Sequence, residues 1–317
     1  MLSLEDIRAA ATRLDGHATR TPVISNPAID ELCGASVFFK AENLQVTGAF
    51  KFRGAFNAVA SLSSAEREAG IVTFSSGNHA QAVARAATMH NTTSVIVMPA
   101  DAPTAKVAAT EAAGGRIVTY DRYTEDRAAL AEEIRSSEGR TLIPPYDHPM
   151  VMAGQGTAAL EVHEQEPGLD ALFVCLGGGG LLAGCATVTA AVAPDCAIYG
   201  VEPEAGDDHV RSRAAGERVT IDVPRTIADG QMVTAPGELT WPVNDALARD
   251  FVTVTDDEIV AAMRVLFDRA KLVTEPSGAS AFAAVLAGRV DVAGKRVGVT
   301  ISGGNIGRSR FFDLVGG

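Results

Sequence analysis

The chain has 317 residues, 47% of them hydrophobic, enough to bury a sizeable core in one large domain or two closely joined ones. Its formal charge of -12 and its pI near 5.0 argue against nucleic acid and anionic membrane surfaces as partners. The 4 cysteines (Cys33, Cys175, Cys185 and Cys196) show no CxxC or other metal-ligand spacing, so reduced thiols in the cytoplasm are the simplest expectation.

The opening segment, MLSLEDIRAAATRLDG, predicts an amphipathic helix and has no apolar core of the kind a signal peptide needs. Strand-like runs then follow in order: VFFKAENL from Val37, GIVTFSS from Gly70, TSVIVMPA from Thr93, GRIVTY from Gly115, ALFVCLG from Ala171, AIYGVEPE from Ala197 and RVGVTISGG from Arg296. Helical, Ala-rich segments such as HAQAVARAATM and TEDRAALAEEIRSS lie between them. This alternation predicts the α/β class, with open, mostly parallel twisted sheets carrying helices on both faces. Ligands in such sheets bind beyond the carboxyl ends of the strands. The uncharged stretch from Ala171 to Pro194 is long enough to cross a bilayer, but its four adjacent glycines would break a lone helix. Strand, turn and helix in a buried core explain it better.

Loops closing four of these segments carry the polar residues that matter. In TGAFKFRGA, Lys51 sits among Ala49, Phe50, Phe52 and Ala55. Desolvation there would lower the amine's pKa, as a Schiff-base nucleophile requires, although a lysine snorkelling from a buried helix start would look the same. FSSGNHAQA ends a strand in Ser75, Ser76, Gly77, Asn78 and His79, more polar groups than one helix cap needs. VTISGGNIG delivers Ser302 and Asn305 into a glycine-flexed turn.

The fourth loop, VCLGGGGLLAGC, admits more than one occupant. Gly178, Gly180 and Ala183 satisfy G-x-G-x-x-G/A, and Glu202 ends the next strand where an acid would bind a ribose hydroxyl. An NAD-dependent dehydrogenase is one reading and a simple glycine-rich turn another. The third is a cup of backbone N–H groups at a helix start, holding a single phosphate ester.

Taken together, KFRGA, SSGNHAQ, GGGGLLAG and SGGN, with GQGTAALEV and RTIADG, resemble fold type II (the β-family) of pyridoxal-phosphate enzymes. The fold is tryptophan synthase β-like, and the branch is that of serine/threonine dehydratases, serine racemases and hydroxyaspartate dehydratases. The resemblance runs from TRTPVISNPAIDE at Thr19 to SGGN, nearly the whole chain. It implies a large cofactor-binding domain (residues 1–69 and 148–317), a small mobile domain (70–147) and a cytoplasmic homodimer.

Carried over residue by residue, the resemblance implies that Lys51 bears pyridoxal 5′-phosphate and that Asn78 donates to its ring oxygen. Gly177, Gly178, Gly179, Gly180 and Leu181 would offer N–H groups to its phosphate. Ser302 would face the ring nitrogen, and a hydroxyl there leaves a weaker electron sink than a carboxylate would, which favours prompt β-elimination. Ser75, Ser76, Gly77, Asn78 and His79 would hold the substrate carboxylate, and Arg127 in YTEDR matches an arginine that serine racemases place over the substrate. The implied reaction removes the Cα proton and the β-hydroxyl of an L-β-hydroxy amino acid (serine, threonine or 3-hydroxyaspartate), giving a 2-oxo acid and ammonia. Many biosynthetic threonine dehydratases have alanine where Ser76 stands, and serine racemases have serine. A second acid/base at that position opens racemisation as the alternative. VEPEAGDDH resembles a divalent-cation site, with Glu202, the Gly206 carbonyl and Asp208 as hard oxygen ligands for Mg²⁺, Mn²⁺ or Ca²⁺, and with Asp207 as an alternative ligand. PPYDH (Pro144 to His148) looks more like bacterial dehydratases, and Ala113 replaces an aromatic associated with nucleotide binding in the animal enzymes.

Overall fold

The structure is a computed structural model that describes residues 2–316 apart from Ser76, Pro103 and Arg122. Among the described residues the strands are β1 (Val23–Ile24), β2 (Ser36–Ala41), β3 (Ile71–Phe74), β4 (Ser94–Pro99), β5 (Gly115–Tyr120), β6 (Thr141–Leu142), β7 (Ala171–Cys175), β8 (Ala197–Pro203), β9 (Asp250–Val254) and β10 (Arg296–Ile301). They form a 6-stranded sheet, ordered β1-β2-β10-β7-β8-β9, and a 4-stranded sheet, ordered β5-β4-β3-β6. Every pairing is parallel except that of β1 with β2. The predicted α/β class therefore holds, and the smaller sheet is built wholly within the stretch between β2 and β7.

Strands buried on both faces read as continuous apolar runs, and β4 and β7 are buried at every position. The helix Pro276–Leu286 covers one face of the large sheet, where Phe282 meets Phe39 edge-on at 4.9 Å between ring centroids. Helices Pro149–Gln165 and Gly180–Val192 cover the other face in close contact. A Cβ on Gly184 would lie 2.5 Å from the Gly156 amide nitrogen, so glycine on both helices permits the approach. The uncharged Ala171–Pro194 stretch is thus a buried strand and helix, and among the described residues no helix is long and apolar enough to cross a membrane.

The loop before the helix Lys51–Ala60 is pinned to the end of β10. Phe50 N donates to the Ser302 carbonyl at 3.0 Å, and Gly304 N donates to the Gly48 carbonyl at 2.9 Å. Two motifs far apart in sequence thereby share one edge of the site. The helix Asn78–Met89 leads away from the end of β3 and brings a third motif to the same place.

Candidate active site

A cavity of about 560 Å³ lies between the two sheets, lined by Lys51, Ser75, Gly77, Asn78, His79, Gly177 to Leu181 and Ser302. Residues from all four motifs therefore converge. Ser76 lies outside the described residues.

Lys51 opens its helix, and its Nζ donates to the Pro145 carbonyl at 2.7 Å. Withdrawal from bulk water brings its pKa down to about 8. An amine so placed is partly neutral near physiological pH and is therefore a nucleophile.

The glycine loop is shaped from outside. Thr240 Oγ1 donates to the Gly178 carbonyl at 2.7 Å, and Asn244 Nδ2 donates to the Gly179 carbonyl at 3.1 Å. In a trans peptide the following N–H points the other way, which turns these amides toward the cavity. Among the described residues the N–H groups of Gly177 through Leu181 have no acceptor within the chain. Gly179 sits at φ 93, and a Cβ on Gly178 would strike the Tyr146 ring. The fully buried Gln155 adjoins Gly180, and its amide has no hydrogen-bond partner among the described residues. Unsatisfied amides at the start of a 13-residue helix fit a phosphate.

Ser302 is buried, donates to the Ser277 carbonyl at 3.3 Å and lies against the Cys175 thiol, which burial pushes up to about 11. Burial, with Lys51 nearby, drives His79 down to about 3, and its imidazole meets the Ile143 carbonyl at 3.0 Å. His79 is therefore neutral, with Nε2 as the protonated nitrogen. Ser75 Oγ accepts from Gly77 N at 3.2 Å. Arg127 begins the helix Arg127–Glu138 at the cavity wall, its guanidinium 5.6 Å from the Phe74 ring centroid.

The cation expectation falls on another buried cluster. Glu202, Asp208 and His209 are fully buried, with ligand atoms within 4.8 Å of one another. Neither Asp208 carboxylate oxygen has a hydrogen-bond partner among the described residues, as fits a set of donors for an ion. His209 Nδ1 stands 3.0 Å from Glu202 Oε1 and 3.3 Å from Asp208 Oδ2. Burial pushes the Glu202 carboxyl up, whereas the two carboxylates, against burial, hold His209 up. Gly206 is buried in the turn Glu204–Gly206 that leads into this cluster. Asp207, the alternative ligand, pairs instead with Arg211 at 2.7 Å.

Sequence reasoning missed several cavity residues. Tyr146 packs on the glycine loop, and the Asp147 carboxylate after it accepts the amides of Glu238 and Leu239 at 2.9 and 2.8 Å, fixing PPYDH in place. Lys106 and Asp229 form an ion pair at the cavity wall. Glu275 is a buried carboxyl, and burial with Asp229 nearby raises it to about 8. An acid preceding Pro276 at the head of an apolar helix is the signal that could have found Glu275. His209 was missed as the neighbour of an acidic pair.

An amine that loses its proton near neutrality captures aldehydes, and a cup of glycine amides captures phosphate; pyridoxal 5′-phosphate carries both groups on one ring. On a parallel two-sheet α/β fold, this pairing defines the fold type II class of pyridoxal-phosphate enzymes. The chain belongs to the pyridoxal-phosphate dependent enzyme family, whose model matches residues 14–303. It is 50% identical to an L-threo-3-hydroxyaspartate ammonia-lyase from Pseudomonas sp., over 99% of both chains. It is 49% identical to a serine racemase from Schizosaccharomyces pombe, over 97% of this chain and 95% of that one. Among solved structures, maize serine racemase superposes with a TM-score of 0.94 at 38% identity, covering 98% of this chain and 96% of that chain. A serine racemase from Dictyostelium discoideum gives 0.90 at 38% identity, covering 96% and 99%.

Proposed function

We propose that the chain is a pyridoxal-phosphate-dependent ammonia-lyase that converts an L-β-hydroxy amino acid (serine, threonine or 3-hydroxyaspartate) to a 2-oxo acid and ammonia. The observation that carries this reading is the amine of Lys51 in one cavity with glycine amides that, among the described residues, have no acceptor. The 50% identity to an L-threo-3-hydroxyaspartate ammonia-lyase supports the reaction type. Pyridoxal phosphate, when bound, supplies a carbonyl that condenses with the substrate amine and a ring that withdraws electrons from Cα.

The chain's own residues do the rest. Lys51 would hold the cofactor through Nζ, and the same atom, as a free amine, would take the Cα proton of the substrate. Gly177 to Leu181 bind the phosphate through their amides, Asn78 donates to the ring oxygen, and Ser302 places a hydroxyl rather than a carboxylate by the ring nitrogen. Ser75, Ser76, Gly77, Asn78 and the neutral His79 form the carboxylate end of the substrate site, and Arg127 stands over it. Residues 70–147 act as a smaller domain that closes on the cavity and excludes water. The reading includes the cytoplasmic homodimer implied by the resemblance.

Racemisation of serine is the second reading, supported by the 49% identity to the Schizosaccharomyces pombe serine racemase. Ser76 supplies the second acid/base for it. Both readings are tested together by measuring 2-oxo acid release from serine, threonine and the 3-hydroxyaspartate stereoisomers, with chiral analysis of residual substrate. Release of 2-oxo acid from at least one L-substrate is the expected result. Racemisation without any 2-oxo acid would replace the first reading by the second, and neither product would overturn both.

Glu202 and Asp208 are proposed to hold a divalent cation (Mg²⁺, Mn²⁺ or Ca²⁺), with the Gly206 carbonyl completing the oxygen set and His209 beside it. Removal of the ion leaves two buried carboxylates sharing one imidazole, with backbone amides reaching Glu202 but, among the described residues, none reaching Asp208. Chelation is therefore expected to lower the melting temperature by roughly 5 °C, which corresponds to about 2.7 kcal/mol for an ion at a hundred times its Kd. Mg²⁺ or Mn²⁺ should restore it. A melting curve and activity indifferent to chelator would remove the ion from the proposal.

A further inference from the structure

Glu275 occupies the cap position of the helix Pro276–Leu286, yet its side chain makes no capping bond. It turns into the cavity instead, where its Oε1 accepts from Asn78 Nδ2 at 2.5 Å. The Asn78 amide is held from its other end too, since Asn305 Nδ2 donates to Asn78 Oδ1 at 2.8 Å. Asn305 cannot reverse its own amide without cost, because the same nitrogen donates to the Thr47 carbonyl at 2.7 Å. Thr47 presents that carbonyl from a left-handed backbone at φ 63, a conformation rare for a β-branched residue.

These contacts form a directional relay. The Thr47 carbonyl only accepts, so Asn305 must donate, Asn78 Oδ1 must accept, and Asn78 Nδ2 must donate. A reversed Asn78 would set nitrogen against the Asn305 nitrogen and would leave the Glu275 Oε1 acceptor facing oxygen instead of its N–H donor. One N–H of Asn78 Nδ2 goes to Glu275, and the second has no acceptor among the described residues. The charged groups that bear on Glu275 are Asp229 and Lys106.

We propose that Glu275 is a positioning residue that fixes the Asn78 amide so that its free N–H meets the ring oxygen of the cofactor. This inference rests on the cofactor site proposed above. A ring oxygen in its anionic form accepts hydrogen bonds and offers none, so an amide free to reverse would spend part of its time presenting the wrong atom. Glu275 supplies the acceptor that makes reversal unfavourable.

The test uses the full chain loaded with pyridoxal phosphate and the variants Glu275→Leu, Glu275→Asp, Glu275→Gln, Asn78→Ala and Glu275→Leu with Asn78→Ala. The readouts are cofactor affinity by equilibrium dialysis and the pH midpoint of the absorbance band of the lysine-bound cofactor, expected at about 410–420 nm. Leu removes the acceptor, and Asp withdraws it by one methylene while keeping the carboxyl group. Each should weaken cofactor binding about tenfold, the loss of one hydrogen bond to a charged group. Each should also move the band's pH midpoint upward, because a ring oxygen that loses a donor holds the imine proton more tightly. Gln, which retains an acceptor oxygen at the same reach, should stay within about twofold of wild type. The double variant should be no worse than Asn78→Ala alone, since Glu275 acts only through that amide. Multiplying losses in the double variant, or an unshifted midpoint in both Leu and Asp, would overturn the inference. Should Leu fail to fold, Asp carries the same test. Absence of the band from the wild-type protein would instead overturn the cofactor reading itself.

Discussion

Lys51→Ala is expected to yield a folded protein that shows no absorbance band at about 410–420 nm after incubation with pyridoxal phosphate and whose elimination activity falls by at least ~10³-fold. The size of the effect follows from two roles falling on one nitrogen, attachment of the cofactor and removal of the Cα proton. The fold should tolerate the change, because the Lys51 amine donates to the Pro145 carbonyl at 2.7 Å, lies over the Phe50 ring and, among the described residues, takes no part in the buried ion pairs behind it. The pH dependence has a definite sign. Burial lowers the amine to about 8, and only the neutral amine attacks an aldehyde, so cofactor capture by the apoprotein should accelerate as pH rises through about 8 and level off above it. An ordinary lysine would still be accelerating about two units higher. Stopped-flow capture kinetics from about pH 6 to 10 measure this directly. A Lys51→Ala protein that keeps both the band and 2-oxo acid release would sink the assignment.

What the residues disclose by themselves, and what they withhold, divides along the range of the interactions. GRIVTY predicts a strand and is β5, Gly115–Tyr120, without adjustment, since an apolar run between turn residues is a local signal. VFFKAENL reads as one strand through Leu44, but β2 stops at Ala41. Glu42 leaves the sheet for a short turn because its carboxylate is drawn to Arg53, and that attraction has no local signature. The edge strand β9, Asp250–Val254, escapes the sequence pattern, being short and exposed at its first residue. The motif loops are legible because each ends a strand and begins a helix, where ligands bind in such sheets. Tyr146 and His209 are not, since each owes its place to a contact more distant than any periodicity reports, and Glu275 carries only the local signal of an acid before Pro276. Tyr146 meets Gly178 only because Asp147 anchors its loop to the segment at Glu238, and His209 meets Glu202 only across a turn.

The largest stability effect to be expected, that of Arg53, likewise arises from contacts distant in sequence. This residue stands two positions after Lys51 in KFRGA, is 1% exposed and forks onto two carboxylates. Its guanidinium donates to Glu42 at 2.7 and 2.8 Å and to Glu161 at 2.7 and 2.9 Å. Lys40 joins from the other side, donating to Glu161 at 2.6 Å and to the Thr21 carbonyl at 2.7 Å. Burial alone would raise the Glu42 carboxyl, but Arg53 holds it below its ordinary value, so the charge on Glu42 depends on its partner. Arg53→Met is therefore expected to cost about 3–5 kcal/mol, the range for stripping one partner from a buried pair, and to lower the melting temperature on the order of 10 °C. Most of that cost is the stranded carboxylate rather than the lost attraction. Adding Glu42→Gln to Arg53→Met should consequently restore part of the loss, a non-additivity readable in urea midpoints. Arg53→Lys should fall between, because an ammonium cannot engage two carboxylates with the planar fork of a guanidinium. If the two losses simply add, the network is not bound by charge. The helix that presents Lys51 would then owe its position to the apolar packing of Phe52, Ala55 and Phe56 instead.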